Sequence, residues 1–573
     1  MVWIFDNSNL NESYSGITTP LTFSFARRVY RGVYVEFCKF MGVSDQIISK
    51  NSDIFEHMLE FIGGRMYYNL TNWHRMVAFL PAYKLNGVFM EEMLGIDKEL
   101  RGKVKAPLQE SKSLQAWINV AYLFFRIMII FLFMKLFVGR FDHNFDKKYG
   151  KLKGQIVDGV PMRMGLPELL SWYQAAEAEM THDFKTPIAN DFAVMVSVGI
   201  LRRLITKSEG EEEQLISKII SEGPGLKSSE PGREFGKIIT SIKRNPGFYN
   251  LFAKNSVSVI KRRLAKEIQF KELRNQIKQY IEKFGQRVPG ELKLESLSFQ
   301  NDPTVLFNLL KGNLERDGNN AKGRKNEVNE NDIRKKLLRL SVPNRLLINL
   351  VKRWAVKSIA YREDTRFKRT LVFGVARDIF LAIGEKLCQK GCLKNKRDIF
   401  WLTIEDLENY SSISTRYNSL TEKRKKDSVY FNRLYLPKRI VSPTRDVDLL
   451  RIAIRNNSPK PIRSAKNLLL GNVICTGGQA YLKGRSMVVR NFDPRLNFQG
   501  KILITPQTDP GWTVIFPSLL GLIVERGGLL SHAAIVAREF NLPCIIKVEN
   551  AVQTIPNDTD LSLNLKTGEI VWK

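Results

Sequence analysis

The amino-acid sequence predicts a large, mostly helical domain followed by a small α/β domain, an α plus α/β fold. Two observations carry this prediction. Residues 1–465 repeat apolar side chains at three- and four-residue spacing, the period of a helix with one buried face, whereas residues 466–573 contain short β-branched runs between glycine turns. A chain of 573 residues is also too long for a single core, so more than one domain is expected.

The helical domain, residues 1–465, is predicted from long periodic segments separated by proline and glycine. The clearest segments are Phe23 to Met41, Asp191 to Thr206, Ser256 to Phe284 and Arg366 to Lys390. Breaks are expected at Thr19-Pro20, Asn245-Pro246-Gly247 and Pro289-Gly290. Residues 312–332 are rich in Asn, Gly, Lys and Glu and nearly lack apolar side chains, which predicts a mobile loop inside this domain.

The segment from Ala116 to Val138 is the most hydrophobic part of the chain. About 20 apolar residues would suffice for a membrane span. Arg126 and Lys135 argue against a span, because each would cost roughly 2.5–3.5 kcal/mol near the centre of a bilayer. We therefore predict a buried helix or the wall of an apolar substrate pocket, and docking on a membrane surface remains the alternative.

The second domain, residues 466–573, is predicted to contain strands, tight turns and one helix. Glycines at 477, 478, 484, 527 and 528 mark turns, and His532 to Phe540 is helix-like. The predicted strands are Met487 to Val489, Lys501 to Ile504, Gly521 to Val524, Cys544 to Ile546 and Leu561 to Leu565.

The net charge of +31 points to an acidic partner, nucleic acid or an anionic membrane surface. Residues 471–573 hold ten Lys and Arg against eight Asp and Glu, so they contribute +2 and the rest of the chain +29. The basic residues are scattered, and they occur without zinc-finger spacing or aromatic RNA-binding motifs, so nucleic acid is not the expected partner. Five cysteines, an odd number, predict a reducing cytoplasm rather than a disulfide framework, and the N-terminus lacks the pattern of a secretory signal.

His532 is the histidine whose surroundings indicate chemistry. The chain has four others, and none has Cys, Asp or Glu at metal-ligand spacing, so we predict structural roles for them and no metal site: His57, His74, His143 and His182. His532 follows an apolar strand, Gly527, Gly528 and Ser531, and it stands where a helix is predicted to begin. Free N–H groups and the dipole favour an anion there, and a neutral imidazole is a competent nucleophile.

This position suits a histidine that accepts a phosphoryl group and holds it. Small side chains at Ala533 and Ala534 leave space around the ring, and Arg538 could bind phosphate or pair with Glu539 or Glu525. The alternative at this stage is a histidine that only caps the helix.

The run from Gly527 to Glu539, with Asn541-Leu542-Pro543 after it, resembles the phosphohistidine domain of the PEP-utilising enzymes. That family includes pyruvate phosphate dikinase, phosphoenolpyruvate synthase and rifampicin phosphotransferase. The resemblance implies a β/β/α phosphohistidine swivelling domain over residues 466–573, with His532 as the phosphorylated residue and Gly527, Gly528, Ser531 and Arg538 supporting the phosphate. Thr505 to Trp512 resembles the loop before the histidine strand, which adds Thr508, Asp509 and Trp512 to the expected site.

The helical domain resembles the acceptor-binding domain of the same family. Its landmarks are Asp6 to Asn9, Thr18 to Thr22, Pro187 to Phe192 and Phe284 to Glu291. Relatives often have His before the arginine of the last landmark, where this chain has Gln286. That departure puts a proton-transfer role there in doubt. Arg287 and Glu291 remain acceptor-site candidates, with a buried structural ion pair as the competing interpretation.

The resemblance also implies what a partner would supply. Such proteins usually carry an ATP-grasp domain before the helical domain, and the sequence starts almost at that boundary, so we expect the second half of a split enzyme or a truncated paralogue. ATP and Mg²⁺ are expected on a separate ATP-grasp protein, with no cofactor assigned to this chain. The acceptor would be a small molecule, which the apolar segment Ala116 to Val138 suggests is apolar.

The expected reaction is phosphotransfer through His532, with the second domain swinging on a hinge near Asn456 to Pro461. One alternative is a non-catalytic paralogue, a basic protein that binds a membrane or nucleic acid. Another is a complete enzyme that takes phosphate from phosphoenolpyruvate, although the barrel that follows the histidine domain in phosphoenolpyruvate synthase is not found here.

Overall fold

A computed structural model describes residues 2–8, 10, 13–79, 114–205, 227–314, 342–434, 436–448, 467–490, 492–528 and 531–572. The chain folds into two compact units, each assembled from separate stretches of sequence. The first comprises Met1–Gly199, Leu292–Glu295 and Thr365–Ser458, and the second Ile200–Glu291, Ser296–Asp364 and Pro459–Lys573. The predicted domain boundary at 465/466, the hinge at 456–461 and loop residues 315–332 lie outside the described residues, so these stay predictions.

Helices dominate the sequence up to residue 433, as predicted. Their bounds are α1 Pro20–Phe40, α2 Asp45–Lys50, α3 Ser52–Glu56, α4 Leu70–Val77, α5 Leu114–Val157, α6 Val160–Arg163, α7 Leu166–Thr181, α8 Lys185–Ile205, α9 Glu230–Arg244, α10 Pro246–Lys254, α11 Val257–Lys266, α12 Lys271–Phe284, α13 Thr304–Gly312, α14 Val342–Gln389, α15 Ile404–Glu408, α16 Tyr410–Ile413 and α17 Tyr417–Arg433. The helix predicted from Ser256 to Phe284 is interrupted, because Glu267 adopts an extended backbone with φ −85° and ψ 130°. Short 3₁₀ turns lie at His182–Phe184, Lys227–Ser229, Ile268–Phe270, Lys396–Trp401 and Ser414–Arg416.

The core of the first unit forms where α1, α7 and α14 bring aromatic side chains together. Phe25 meets Phe373 edge-on at 5.0 Å between ring centroids, and Tyr173 lies 4.6 Å from Phe380. Beside this core, the Thr22 hydroxyl donates to the Glu295 carboxylate at 2.5 Å. The landmark Thr18 to Thr22 thus anchors the loop at Leu292–Glu295 to the start of α1.

The first unit also contains a four-stranded antiparallel sheet that the sequence did not predict. Its order is β2-β3-β1-β4, with β1 Trp3–Asp6, β2 Leu59–Ile62, β3 Arg65–Asn69 and β4 Arg439–Ser442. Phe5 pairs with Ile440 in the register of β1 and β4. Strands of four or five residues are too short to show an alternating pattern, and this pairing joins opposite ends of the helical part of the sequence.

The hydrophobic segment 116–138 is helical, within α5, and the side chains that the structure describes in it are partly buried and partly exposed. Met134 and Val138 are buried, whereas Leu132 and Leu136 are 75% and 65% exposed. Among the described residues, the run Leu166–Leu201 is long and apolar enough to cross a membrane, and half of its most apolar window is buried. Core helices of the same length pass that test too, so the run does not establish a membrane span.

The second unit joins helices α9 to α13 to the predicted α/β domain. Phe235 of α9 packs near Tyr280 of α12, with ring centroids 6.2 Å apart. In the α/β domain an eight-stranded sheet has the order β5-β12-β11-β7-β8-β9-β10-β6. The strands are β5 Leu468–Leu470, β6 Asn472–Cys475, β7 Tyr481–Val488, β8 Ile502–Thr505, β9 Gly521–Val524, β10 Cys544–Ile546, β11 Asp560–Asn564 and β12 Glu569–Trp572, with helices α18 His532–Glu539 and α19 Ala551–Thr554.

The sheet combines a parallel centre with antiparallel flanks. β7, β8, β9 and β10 run parallel, and Ile504 of β8 lies beside Ile523 of β9 in a fully buried layer. Gly471 alone separates β5 from β6, which are the two ends of the sheet order. A Cβ at Gly471 would lie 2.5 Å from Val548 and 2.9 Å from the Ile546 carbonyl, so only glycine fits at this crossing.

Because His74 is buried, we expect the first unit to lose stability in mild acid. Desolvation lowers its pKa from 6.5 to about 4 in α4. Its contribution is therefore complete above pH 6.5 and is lost as the pH falls toward 4, because the unfolded chain binds the proton first. The difference between the pKa of His74 in the folded and in the unfolded chain corresponds to up to about 3 kcal/mol of unfolding free energy.

We expect His74→Gln to remove this part of the acid sensitivity. The measurement is the urea midpoint at pH 7 and pH 4.5 for wild type, His74→Gln and the control His182→Gln, whose side chain is 59% exposed. Equal pH-dependent losses in all three proteins would contradict the assignment to His74.

Candidate functional site

His532 is positioned by a strand, a glycine turn and a capped helix. β9 ends at Val524, and α18 begins at His532 with Ser531 as its N-cap, whose Oγ accepts from the Ala534 N–H at 3.4 Å. Gly527 has a φ of +127°, and a Cβ there would lie 2.8 Å from Ser531 Oγ. Gly527 is thus required by the turn that delivers Ser531 to its capping position. Apart from its chain neighbours, a Cβ at Gly528 would meet no atom of the described residues within 4 Å.

Both ring nitrogens of His532 face threonine hydroxyls. Thr508 Oγ1 lies 3.1 Å from Nδ1, and Thr513 Oγ1 lies 3.1 Å from Nε2. The Phe516 ring meets the imidazole edge-on at 5.8 Å, and the side chain is only 1% exposed. The structure therefore shows an imidazole that is enclosed and oriented at a helix N-terminus.

Thr508, Asp509 and Trp512 lie between β8 and β9, and the Thr508 hydroxyl contacts the His532 ring. The Asp509 carboxylate accepts from the Gly511 N–H and the Gly290 N–H, each at 2.9 Å. Trp512 is buried and meets Phe492 edge-on at 5.0 Å. Asp509 thus caps the 3₁₀ segment Pro510–Ser518 and binds the loop that follows α12.

Replacing Asp509 should loosen this junction. Asp509→Ala removes the acceptor of two buried N–H groups, and loss of one capping side chain typically costs about 0.5–2 kcal/mol. We expect faster amide hydrogen exchange in peptides that contain Gly290 and Gly511, measured by mass spectrometry. Asp493→Ala is the control, because Asp493 bonds only locally to Arg495 among the described residues. Unchanged exchange at Gly290 in Asp509→Ala would contradict the bridging role.

Arg538 lies in the last turn of α18, away from the capped end that carries His532. Burial lowers the pKa of its guanidinium to about 10, while Cys475 and Cys544 act in the opposite direction. A phosphate-supporting role for Arg538 stays a prediction.

Arg287 and Glu291 form an ion pair, with 2.7 Å between Nη1 and Oε1. Their side chains are 2% and 4% exposed. This is the geometry of the competing structural interpretation. The same loop nevertheless borders the predicted site, because Gly290 bonds to Asp509. The neighbouring Gln286 side chain donates to Gln300 Oε1 at 2.7 Å.

Sequence reasoning missed Thr513 and two close contacts around it. A Cβ at Gly232 of α9 would lie 2.6 Å from the Thr513 carbonyl, and a Cβ at Gly511 would lie 2.0 Å from the Val288 carbonyl carbon. The one signal for Thr513 was its place directly after Trp512 in the predicted loop. Gly232 in α9 and Gly511 in the 510–518 segment have no sequence pattern that predicts these contacts, because the atoms that pack against them come from distant parts of the chain.

Two families match the parts of the sequence that build this site. The PEP-utilising enzyme mobile domain matches residues 497–568, and the rifampicin phosphotransferase fourth domain matches residues 188–363. The C-terminal α/β domain thus matches the PEP-utilising enzyme mobile domain over residues 497–568. The resemblance that the histidine motif predicted is thereby confirmed, together with the fold class.

Relatives of this chain include rifampicin phosphotransferases. The protein from Bacillus subtilis is 26% identical over 52% of this chain and 34% of its own length, and that from Bacillus cereus is 27% identical over 53% and 35%. The protein from Streptomyces sviceus is 27% identical over 70% of this chain and 46% of its own. The chain thus spans between a third and a half of the length of these curated relatives.

One solved structure, holo aconitase X from Thermococcus kodakaraensis, also matches, at 18% identity over 18% of this chain and 98% of its own. Its TM-score of 0.16 carries no argument about fold or function.

The comparisons place His532 and its threonine partners inside the matched mobile domain. They place α9 to α13 and the Arg287–Glu291 loop inside the matched fourth domain. Among the residues that the structure describes, no group of three or more His, Cys, Asp or Glu side chains could hold a metal ion.

Proposed function

We propose that this chain is the phosphotransferase component of a dikinase-type enzyme, with His532 as the phosphoryl carrier. The observation that supports it most is the enclosed imidazole at the N-terminus of α18, inside the matched mobile domain. Backbone N–H groups at that end favour a phosphoryl group on the ring. The names of the relatives support phosphotransfer as the reaction class.

The proposed first half-reaction takes the β-phosphoryl group of ATP. An imidazole nitrogen forms the N–P bond as AMP departs, and water takes up the γ-phosphoryl group as phosphate. ATP and Mg²⁺ are bound by an ATP-grasp partner protein. In the second half-reaction an acceptor forms a bond to phosphorus, the N–P bond breaks, and the nitrogen recovers its lone pair. Covalent catalysis divides one difficult transfer into two easier ones.

The acceptor is proposed to be a small molecule bound by the helical part of the chain. The Arg287–Glu291 loop contacts the mobile domain through Gly290 and Asp509, so a phosphoryl group on His532 would arrive next to the predicted acceptor-site candidates. The protein is proposed to act in the cytoplasm, in keeping with five cysteines that form no disulfide.

Isotope labelling tests the donor directly. The chain is incubated alone and with its ATP-grasp partner, using ATP labelled at the β- or the γ-phosphorus. We expect acid-labile, base-stable label on the chain only from β-labelled ATP and only with the partner present. Label from phosphoenolpyruvate instead would support the complete PEP-utilising enzyme, and label from neither donor would overturn phosphotransfer.

A second candidate, a non-catalytic basic protein that binds an anionic surface, is favoured by one groove. The groove has a volume of about 780 Å³, and its lining includes the basic residues Arg233, Lys237 and Arg244 and one acidic residue, Glu272. The test is co-sedimentation with anionic vesicles or with DNA at low and high salt. This candidate requires salt-sensitive binding that weakens in Lys237→Glu.

A further inference from the structure

The 3₁₀ segment 510–518 contacts α9 on one side and the imidazole on the other. On the α9 side, a Cβ at Gly232 would lie 2.6 Å from the Thr513 carbonyl oxygen and 3.3 Å from its Cγ2. On the other side, the Thr513 hydroxyl lies 3.1 Å from His532 Nε2. Thr513 therefore contacts both α9 and the His532 ring. We call the arrangement in which the mobile domain packs against α9 through this contact the seated state.

The hydrogen bonds of Thr513 fix the direction of its contact with the imidazole. Its hydroxyl donates to the Pro510 carbonyl at 2.7 Å. A hydroxyl has one proton, so toward Nε2 the oxygen accepts, and Nε2 carries the hydrogen. Nδ1 of the neutral ring then accepts from the Thr508 hydroxyl at 3.1 Å. The seated arrangement thus holds the Nε2–H tautomer, with both nitrogens engaged.

We propose that Thr513 is a positioning residue that couples seating of the mobile domain on α9 to the tautomer of His532. This proposal deepens the proposed function and rests on it, because the tautomer matters only if His532 carries phosphate. When the domain leaves α9, Thr513 releases Nε2, the proton moves to Nδ1, and the Thr508 hydroxyl turns to accept it. Nε2 then presents the lone pair that attacks phosphorus.

The same contact opposes phosphate in the seated state. An oxygen 3.1 Å from Nε2 occupies the space that a phosphoryl group on that nitrogen would take. Phosphorylation at Nε2 therefore displaces the Thr513 hydroxyl, and tight seating disfavours phosphorylation by the same free energy, since coupling between two sites is reciprocal. The mobile domain therefore packs most tightly against α9 when His532 is unphosphorylated, after the phosphoryl group has been transferred.

The experiment reads the tautomer without any phosphotransfer. The full chain is labelled with ¹⁵N-histidine, and ring N–H correlations are recorded; His532→Ala identifies the His532 signal. We expect a slowly exchanging Nε2–H in the wild type and in Thr513→Ser, and its loss in Thr513→Val. A wild-type ring with hydrogen on Nδ1, or a Thr513→Val spectrum like that of the wild type, would overturn the proposal.

A pair of glycine variants in α9 tests the coupling at a distance from the ring. Gly232→Ala introduces a methyl group into the Thr513 contact, whereas Gly236→Ala, one turn on, places it within 4 Å of no described residue outside α9. We expect Gly232→Ala to lose the Nε2–H signal and Gly236→Ala to retain it. Retention in a folded Gly232→Ala protein would refute the coupling; if that variant does not fold, the Thr513 pair decides.

The outcomes also separate this inference from the proposed function. Under partner-driven labelling, weaker seating in Gly232→Ala should raise the initial phosphorylation rate several-fold over Gly236→Ala. If no label forms in any protein but the tautomer signals are as expected, the proposed phosphotransfer function is wrong. The proposed hydrogen bond between Thr513 and His532 is then still supported. Equal phosphorylation rates in the two glycine variants, with label present in both, would show that seating does not control the ring.

Discussion

His532→Ala is expected to reduce the acid-labile phosphate on this chain to background, the largest effect of any single change. The substitution removes the nucleophile, and covalent transfer has no substitute when the attacking atom is missing. None of the other four histidines offers the same arrangement: His74 is buried in α4, and His57, His143 and His182 lie in or beside helices of the first unit.

The measurement is acid-labile label after incubation with β-labelled ATP and the partner. His182→Ala serves as the matched control, because it removes an exposed histidine from the same chain and should label like the wild type. Thr508→Val should label more slowly, since Nδ1 loses the hydroxyl that orients the ring. Acid-labile label that persists in His532→Ala would contradict the assignment of His532 as the phosphorylated residue.

Glu291→Gln is expected to have the largest effect on stability. It keeps the size of the side chain but leaves the Arg287 guanidinium without its carboxylate, 2.7 Å away in the wild type. Removing one charge of a buried pair typically costs about 3–5 kcal/mol, because the remaining charge loses an ionic partner where water does not replace it. The midpoint of urea unfolding, followed by the fluorescence of the second unit, should fall accordingly.

Glu267→Gln is the control for this change. Arg263 and Glu267 are also four residues apart in the second unit, but their side chains are about one-third exposed, so water compensates the remaining charge. We expect its midpoint to stay near that of the wild type. Equal shifts in the two variants would contradict a special cost of burial at Glu291.

Glu291→Gln also distinguishes the two interpretations of the loop. If the ion pair is only structural, a folded sample at low temperature should form phosphohistidine and transfer it to an acceptor at normal rates. If Glu291 also serves the acceptor site, phosphohistidine should form normally and transfer should slow.

The mobile domain could be predicted in detail because its information is local. The strand at 521–524, the glycine turn and the helix at 532–539 follow one another directly, so glycine placement and apolar runs specify them with little help from the rest of the chain. β5, β6 and β12 were missed. They are three or four residues long, and their pairing partners determine them more than their own composition does.

The parts that could not be predicted depend on contacts between distant segments. β1 pairs with β4 across more than 430 residues, and periodicity carries no record of that pairing. Thr513 could not be assigned a role because a threonine hydroxyl has no sequence pattern; its orientation is set by the Pro510 carbonyl and by the ring it meets. Arg287 and Glu291 were predicted as acceptor-site candidates with a buried ion pair as the alternative, and only the folded loop shows that they form that pair.

The crossing at Gly471 has a consequence for the edges of the eight-stranded sheet. β5 and β6 are consecutive in the chain and are the two terminal strands of the sheet, so one continuous segment supplies both of its edges. Open rims of a sheet are where foreign strands attach and aggregation begins. Both edge strands are only three or four residues long, and the close packing at Gly471 lies between them, so neither edge is a long, straight strand to which another chain could pair. Gly471→Val places a side chain where a Cβ would already lie 2.5 Å from Val548 and should distort this crossing. We therefore expect its first effect to be aggregation at high protein concentration, measured by light scattering.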